Sequence, residues 1–209
     1  LLKLHKTNTP PLQLVMEAGK RIHLTEYTPE KPTTPPAFCM AIRKYLRNAW
    51  LQNIEQHEFE RVAALTFKTQ EGTLKLIVEL FGDGNHILVD ENGKILQALA
   101  YKRMRDRNIL RSEPFQFAPS SGQNPLKTNK QQLTDGLKTF QNVEAVRAIA
   151  RFLSIGGAYA EEILLRAGVD KTKPADSLTE SEVETIFTNL ENLLSQVTSG
   201  TLEPCVVLN

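Results

Sequence analysis

Four short runs between residues 61 and 101 alternate apolar and polar side chains, and glycine-bearing turns separate them. "RVAALTFK" passes through "TQEG" to "TLKLIVELF", then through "GDG" to "NHILVD" and through "ENG" to "KILQALAY". Gly72, Gly84 and Gly93 stand where tight hairpins call for a positive φ. The pattern reads as an antiparallel meander. Within "TLKLIVELF", Leu74, Leu76, Val78 and Leu80 face one way, and Lys75, Ile77, Glu79 and Phe81 face the other. The second face is mixed rather than wet, so both sides of this strand are expected to be covered.

Other elements have to supply those covers. Upstream, "LQLVMEA" and "RIHLTEY" flank Gly19 as a hairpin, and the prolines of "EKPTTPPA" suit the entry to a helix. "AFCMAIRKYLRNAWL" sets Phe38, Ile42, Leu46 and Trp50 four residues apart. That spacing predicts one apolar helical stripe, buried against the sheet, with Arg43 and Arg47 on another face and Lys44 beside them. Downstream, "SEPFQFAPSSGQNPLKTN" reads as a linker. A helical half starts near Lys130, where "VEAVRAIARFL" and "AYAEEILLRAG" are joined by "SIGG" and Gly168 suits a C-cap. Thr179 and Glu182 form the capping-box pattern that opens "LTESEVETIFTNLENLLSQV". "EPCVVLN" looks like one more strand. The expected class is α+β: a β-rich domain over 1–117, a linker over 118–129, and a helical domain with a terminal strand over 130–209.

At 209 residues the chain has room for two small cores. No apolar run approaches the roughly 18 residues that span a bilayer. The chain opens without a methionine and without a signal-peptide layout, and is expected to begin inside a longer, cytoplasmic protein. Cys39 and Cys205 read as buried thiols, and the four histidines lack metal-ligand spacing, so neither a metal nor a cofactor is implied. A Gly-rich phosphate loop, a nucleophile elbow and a Cys/His pairing are all missing, so catalysis has no support.

Charge points elsewhere. The formal net charge is +1, but residues 1–115 carry 17 Lys and Arg against 13 Asp and Glu. A nucleic-acid partner would be met mainly there. "YKRMRDRNILR" holds four arginines and a lysine; read as a strand, it puts Arg103, Arg105 and Arg107 on one face with Tyr101. Such a row is either a solvated edge strand or a phosphate-binding ledge. Glu60 and Arg61, in "FERV", form by composition an ordinary surface pair. "FLSIGGAYAEEIL" has the outline of a helix-hairpin-helix, whose turn can hold a phosphate. Glu161 and Glu162 in the early turns of its second helix would already complement the positive helix end, so a packing role without phosphate is expected.

"EAGKRIHLTEY", "PPAFCMAIRKYLRN", "FERV", "LIVELFGDGNHILVD" with "GKIL", and "FLSIGGAYAEEILLRAGVDK" resemble, in this order, the NFACT family. These are ribosome quality-control factors, also known as fibronectin-binding protein A-like, and "YKRMRDRNILR" resembles the archaeal-type branch. The resemblance implies a β-rich domain distantly similar to the first domain of formamidopyrimidine-type DNA glycosylases, followed by a helix-hairpin-helix domain. It lends no glycosylase chemistry, because those enzymes use an amino-terminal proline. It implies a non-enzymatic module that engages tRNA and the large ribosomal subunit and positions tRNA for carboxy-terminal tailing of stalled chains. The family's Asp-Arg motif falls here on Glu60 and Arg61. With Arg43, Lys44, Arg47, Arg103, Arg105 and Arg107 as a backbone track, these are the expected RNA-binding residues. A protein-interaction or adhesion module of the fibronectin-binding type is the alternative.

Overall fold

Strands β1 (Leu2–Leu4), β2 (Leu12–Glu17) and β3 (Arg21–Leu24) form a small antiparallel sheet ahead of helix α1 (Ala37–Leu46). The meander follows as β4 (Trp50–Gln56), β5 (Val62–Thr69), β6 (Gly72–Glu79), β7 (Asn85–Val89) and β8 (Ile95–Ala98). These five strands pair in chain order, all antiparallel, with Leu65 opposite Leu76 and Leu76 opposite Leu88. A two-stranded ribbon, β9 (Lys102–Arg103) and β10 (Asn108–Ile109), completes the β-rich part. The computed structural model describes residues 1–28, 30–120 and 122–200, in two units, Leu1–Pro119 and Ser120–Asn209. The strand expected at "EPCVVLN" and Cys205 lie outside the described residues.

Period-two alternation sends the meander's side chains into two cores. Leu65, Phe67, Leu76, Val78 and Leu88 enter one, with Leu14 and Ile42; Val62, Ala64, Ile77, Ile87, Val89 and Ile95 enter the other, with Ile109. The double burial expected of "TLKLIVELF" is present. The first face is covered by α1 and the three-stranded sheet, the second by β10 with Phe81 and Phe115. Leu65, Leu76, Ile77, Ile87 and Leu88 are fully buried, and each such side chain contributes about 1.5–3 kcal/mol through its burial.

The helical stripe is shorter than the sequence suggested. Phe38, Ile42 and Leu46 pack on the sheet, but Asn48 takes a left-handed conformation (φ 60°), and the chain turns directly into β4. Asparagine tolerates that conformation because its short polar side chain bonds locally. Leu51 then faces the core, while Trp50, opposite Lys68, is 77% exposed. Two glycines are demanded by close approach. A Cβ on Gly84 would lie 1.8 Å from the nitrogen of Gly19, and one on Gly19 would lie 2.5 Å from the carbonyl oxygen of Gly82. The β2–β3 and β6–β7 turns therefore interlock through backbone alone.

The second unit is helical: α2 (Lys130–Lys138), α3 (Ala145–Phe152), α4 (Gly157–Ala167) and α5 (Glu180–Thr198) share one core that includes Leu133, Ile149, Ile163 and Ile186. The expected α+β class holds. Part of the segment read as a linker belongs to this unit. Gln123 donates its N–H to Phe152 O at 2.6 Å, Gly122 lies against the end of α3, and Asn129 caps α2 in a capping box with Gln132. Gly168 closes α4 at φ 67°. Thr179 and Glu182 form the capping box of α5, and Lys173 Nζ sits 2.7 Å from Glu182 Oε1. The Lys173 ammonium, followed by the Thr179 backbone N–H, lowers the Glu182 pKa to about 2.

Two outcomes are expected. Leu65→Ala should cost about 2–5 kcal/mol in urea unfolding, whereas Trp50→Ala should cost less than about 1 kcal/mol. Because the folded-state pKa of Glu182 lies below its ordinary value of 4.5, its contribution is present above pH 4.5 and is lost as pH falls toward about 2. Thermal melts across that window should show a shallower acid decline for Glu182→Gln than for the unaltered chain.

Candidate nucleic-acid interface

Glu60 and Arg61 stand at the β4–β5 turn. Glu58 has φ 47°, Glu60 N donates to His57 O at 3.0 Å, and Gln56 Nε2 donates to Glu60 O at 2.9 Å. Leu80 N donates to Arg61 O at 2.8 Å, so the Arg61 backbone is held by the neighbouring strand. Its side chain is exposed and donates through Nη2 to Lys20 O at 3.4 Å, a long hydrogen bond that orients the guanidinium without engaging most of its donors. Beside the pair is a concavity of about 470 Å³, lined by Ile22, His23, Leu24 and Ile54. Its apolar walls and charged rim suit a ligand with one flat or apolar face and one anionic edge.

The basic helix face lies elsewhere. Lys44 and Arg47 line a cleft of about 480 Å³ with the β5–β6 and β7–β8 turns, at the end of β5 away from Arg61. The eight residues of β5 put roughly 25 Å between the two places. Glu71, Asp90 and Glu91 share that cleft, so a phosphate entering it would meet carboxylates. Arg43 lies over Met40, with Nη1 3.7 Å from Sδ, and edges an apolar groove of about 840 Å³ that also contains Phe38 and His86. Burial there lowers the His86 pKa.

The expected row of Arg103, Arg105 and Arg107 does not form. The chain bends at Arg105 and Asp106 between two-residue strands, so period two never runs through the stretch. Arg103 and Arg105 are exposed at the hairpin. Arg107 points inward, with 5% of its side chain exposed, and its Nη1 lies 2.6 Å from Oε1 of Glu79, itself 6% exposed. The physical reason is Glu79. A carboxylate on a covered sheet face requires a cation, and Arg107 is the one the structure supplies. The signal was present in the mixed face of "TLKLIVELF". Nor do the two basic groups share a side, because α1 is anchored through Ile42 in one core of the sheet and β10 through Ile109 in the other. Tyr101 turns its hydroxyl to Gln97 Oε1 at 3.0 Å.

Sequence reasoning missed Lys20, whose carbonyl orients Arg61, and Lys102, which pairs with Asp83 at 3.2 Å. It also missed the stack of His57 on Phe117, with ring centroids 3.5 Å apart and planes within 5°. None of these partners is near its residue in the chain, so spacing carried no signal. In the helical unit, Glu161 and Glu162 lie beyond the first turn of α4. They pair with Lys171 at 3.0 Å and Arg166 at 2.6 Å, so they do not neutralise the helix start as expected. Among the described residues no group of three or more His, Cys, Asp and Glu could hold a metal ion, and no helix is long and apolar enough to cross a membrane.

The NFACT N-terminal and middle domains match residues 1–209. The chain belongs to the NFACT family. The archaeal Rqc2 homolog aRqcH of Methanocaldococcus jannaschii is 39% identical over 214 residues, taking in 100% of this chain and 31% of the relative. Ribosome quality control complex subunit 2 of Saccharomyces cerevisiae is 38% identical over 96 residues, 46% of this chain and 9% of that protein. The chain thus spans about a third of the length of the archaeal relative. Among solved structures, the N-terminal part of the fibronectin/fibrinogen-binding protein from Streptococcus suis shares the fold, with a TM-score of 0.66 at 24% identity over 88% of this chain and 70% of that one.

Within this NFACT chain the buried and exposed arginines should separate in a stability measurement. Arg107→Ala leaves the Glu79 carboxylate buried and unpaired and should cost about 3–5 kcal/mol in urea unfolding. Arg105→Ala should change stability by no more than about 0.5 kcal/mol.

Proposed function

We propose that this chain is a non-enzymatic RNA-binding module of a ribosome quality-control factor in the cytoplasm. It engages tRNA and the large ribosomal subunit and positions tRNA for carboxy-terminal tailing of stalled chains. The observation that carries the reading is the match to an archaeal Rqc2 homolog over the whole of this chain. The geometry at Arg61 supports it. Arg61 presents an exposed guanidinium, oriented by Lys20 O, beside a concavity with apolar walls. A guanidinium fork with most of its donors open can pair bidentately with one feature of a folded RNA. Glu60 stands where the family motif has aspartate, and one added methylene shifts the carboxylate outward from the backbone. Arg103 and Arg105 serve as backbone contacts at the hairpin. Arg43, Lys44 and Arg47 lie apart from these contacts, and the carboxylates of Glu71, Asp90 and Glu91 beside Lys44 and Arg47 give them the lesser part in holding RNA.

A titration of labelled tRNA across a salt series tests this. Phosphate contacts give an affinity that falls steeply with salt. Arg105→Ala should lower the slope by about one and weaken tRNA and unrelated RNA alike. Arg61→Ala should weaken tRNA by roughly tenfold more than unrelated RNA, and Arg61→Lys should recover only part of the loss. Salt-independent capture of fibronectin with no tRNA binding would instead favour an adhesion module, the reading suggested by the name of the Streptococcus suis structure.

A further inference from the structure

The pair of Glu79 and Arg107 joins three pieces of the β-rich unit. Glu79 ends β6, Arg107 leads into β10, and the same Arg107 Nη1 donates to Gln116 O at 3.1 Å. Arg107 O accepts from Met104 N at 3.1 Å and so closes the hairpin tip. Arg103 and Arg105 stand exposed on that tip, without an ion-pair partner among the described residues. On its other side Glu79 is the register partner of Val62, the residue after Arg61, and Leu80 N donates to Arg61 O. The carboxylate that seats the hairpin and the backbone that carries Arg61 therefore belong to adjoining positions of adjacent strands.

A buried ion pair is a weak source of stability, because apolar side chains of similar volume often replace it without loss. What the guanidinium adds is a link: it sets a cation against the carboxylate, whose Oε1 accepts no hydrogen bond, and donates to the Gln116 carbonyl, which an apolar pair filling the same space would not do. We propose that the Glu79–Arg107 pair is a positioning device that sets the β9–β10 hairpin, so that Arg103 and Arg105 are presented together to the RNA backbone. This rests on the RNA-binding reading above. Arg107 is a positioning residue and touches no RNA.

The test uses the 209-residue chain and labelled, unfractionated tRNA. Glu79→Leu with Arg107→Met replaces the pair by apolar groups, and Arg107→Lys keeps a cation without the fork. Cooperative unfolding should persist in both. Trypsin cleavage after Arg103 and Arg105, measured without RNA, should rise several-fold in the double variant, roughly fivefold, because the hairpin opens more often. Its tRNA affinity should fall about tenfold, and the loss should all but vanish in a background already carrying Arg103→Ala and Arg105→Ala. Arg107→Lys should fall between. Unchanged cleavage, or an affinity loss of the same size in both backgrounds, would overturn the proposal. An unaltered chain that binds no tRNA at any salt concentration would overturn the RNA-binding reading first, and the proposal with it.

Discussion

A β-sheet buried on both faces has to be covered twice, and that requirement organises the amino-terminal unit. Its central strands are too apolar to stand with one face in water, since Val62, Ala64 and Ile77 are buried along with Leu65 and Leu76, while the edge strand β4 is largely exposed. One cover is α1 with the three-stranded sheet, and the other is β10 with Phe81 and Phe115. The second cover is thin, with two-residue strands and a few aromatic side chains. Two-stranded ribbons are marginal by themselves, so this one depends on what anchors it. Ile109 and the buried Arg107 supply the anchors, one by apolar contact and the other by charge.

The meander was legible because period two, glycine turns and strand length agreed in one stretch of sequence. Capping at Thr179 and Glu182 was legible for the same reason, since both partners sit within one turn of chain. Trp50 was misread because i, i+4 continuity says nothing about where a helix stops, and Asn48 stopped it. Arg107 was misread because its partner, Glu79, is distant in sequence. A row of arginines looks like a surface until a buried carboxylate claims one of them. Of the candidate site, Glu60 and Arg61 were visible only through the family resemblance. The separation of Arg43, Lys44 and Arg47 from Arg103 and Arg105 needed the sheet, because no local pattern states which face a later segment will cover.

That separation changes how RNA engagement has to work under the proposed function. Lys20 and Arg21 are held by Glu17, whose carboxyl lies below its ordinary range for that reason, and Lys102 is held by Asp83. The candidate RNA contacts, Arg61, Arg103 and Arg105 against Arg43, Lys44 and Arg47, thus stand at distinct places rather than in one basic patch, which accords with a formal net charge of only +1. Weak contacts at separate points gain strength only when one ligand spans them, since the second then forms at high effective concentration. A rigid, folded RNA satisfies that condition better than a flexible single strand, whose ends pay more entropy to meet fixed points.

What the Arg61 side chain bonds to is held by a place with no functional side chains. The Lys20 carbonyl that orients its guanidinium belongs to the β2–β3 turn, and that turn is pressed against the β6–β7 turn where Gly19 and Gly84 meet. Gly19 N also donates to Glu79 O at 3.0 Å, so the turn is fastened to the strand end that seats Arg107. Both glycines have positive φ, 74° and 68°, and neither has room for a Cβ. A methyl group at either position would have to move backbone atoms rather than side chains, and the carbonyl of Lys20 would move with them. The setting of Arg61 therefore depends on two residues that cannot touch a ligand, through a backbone contact that also links it to the hairpin.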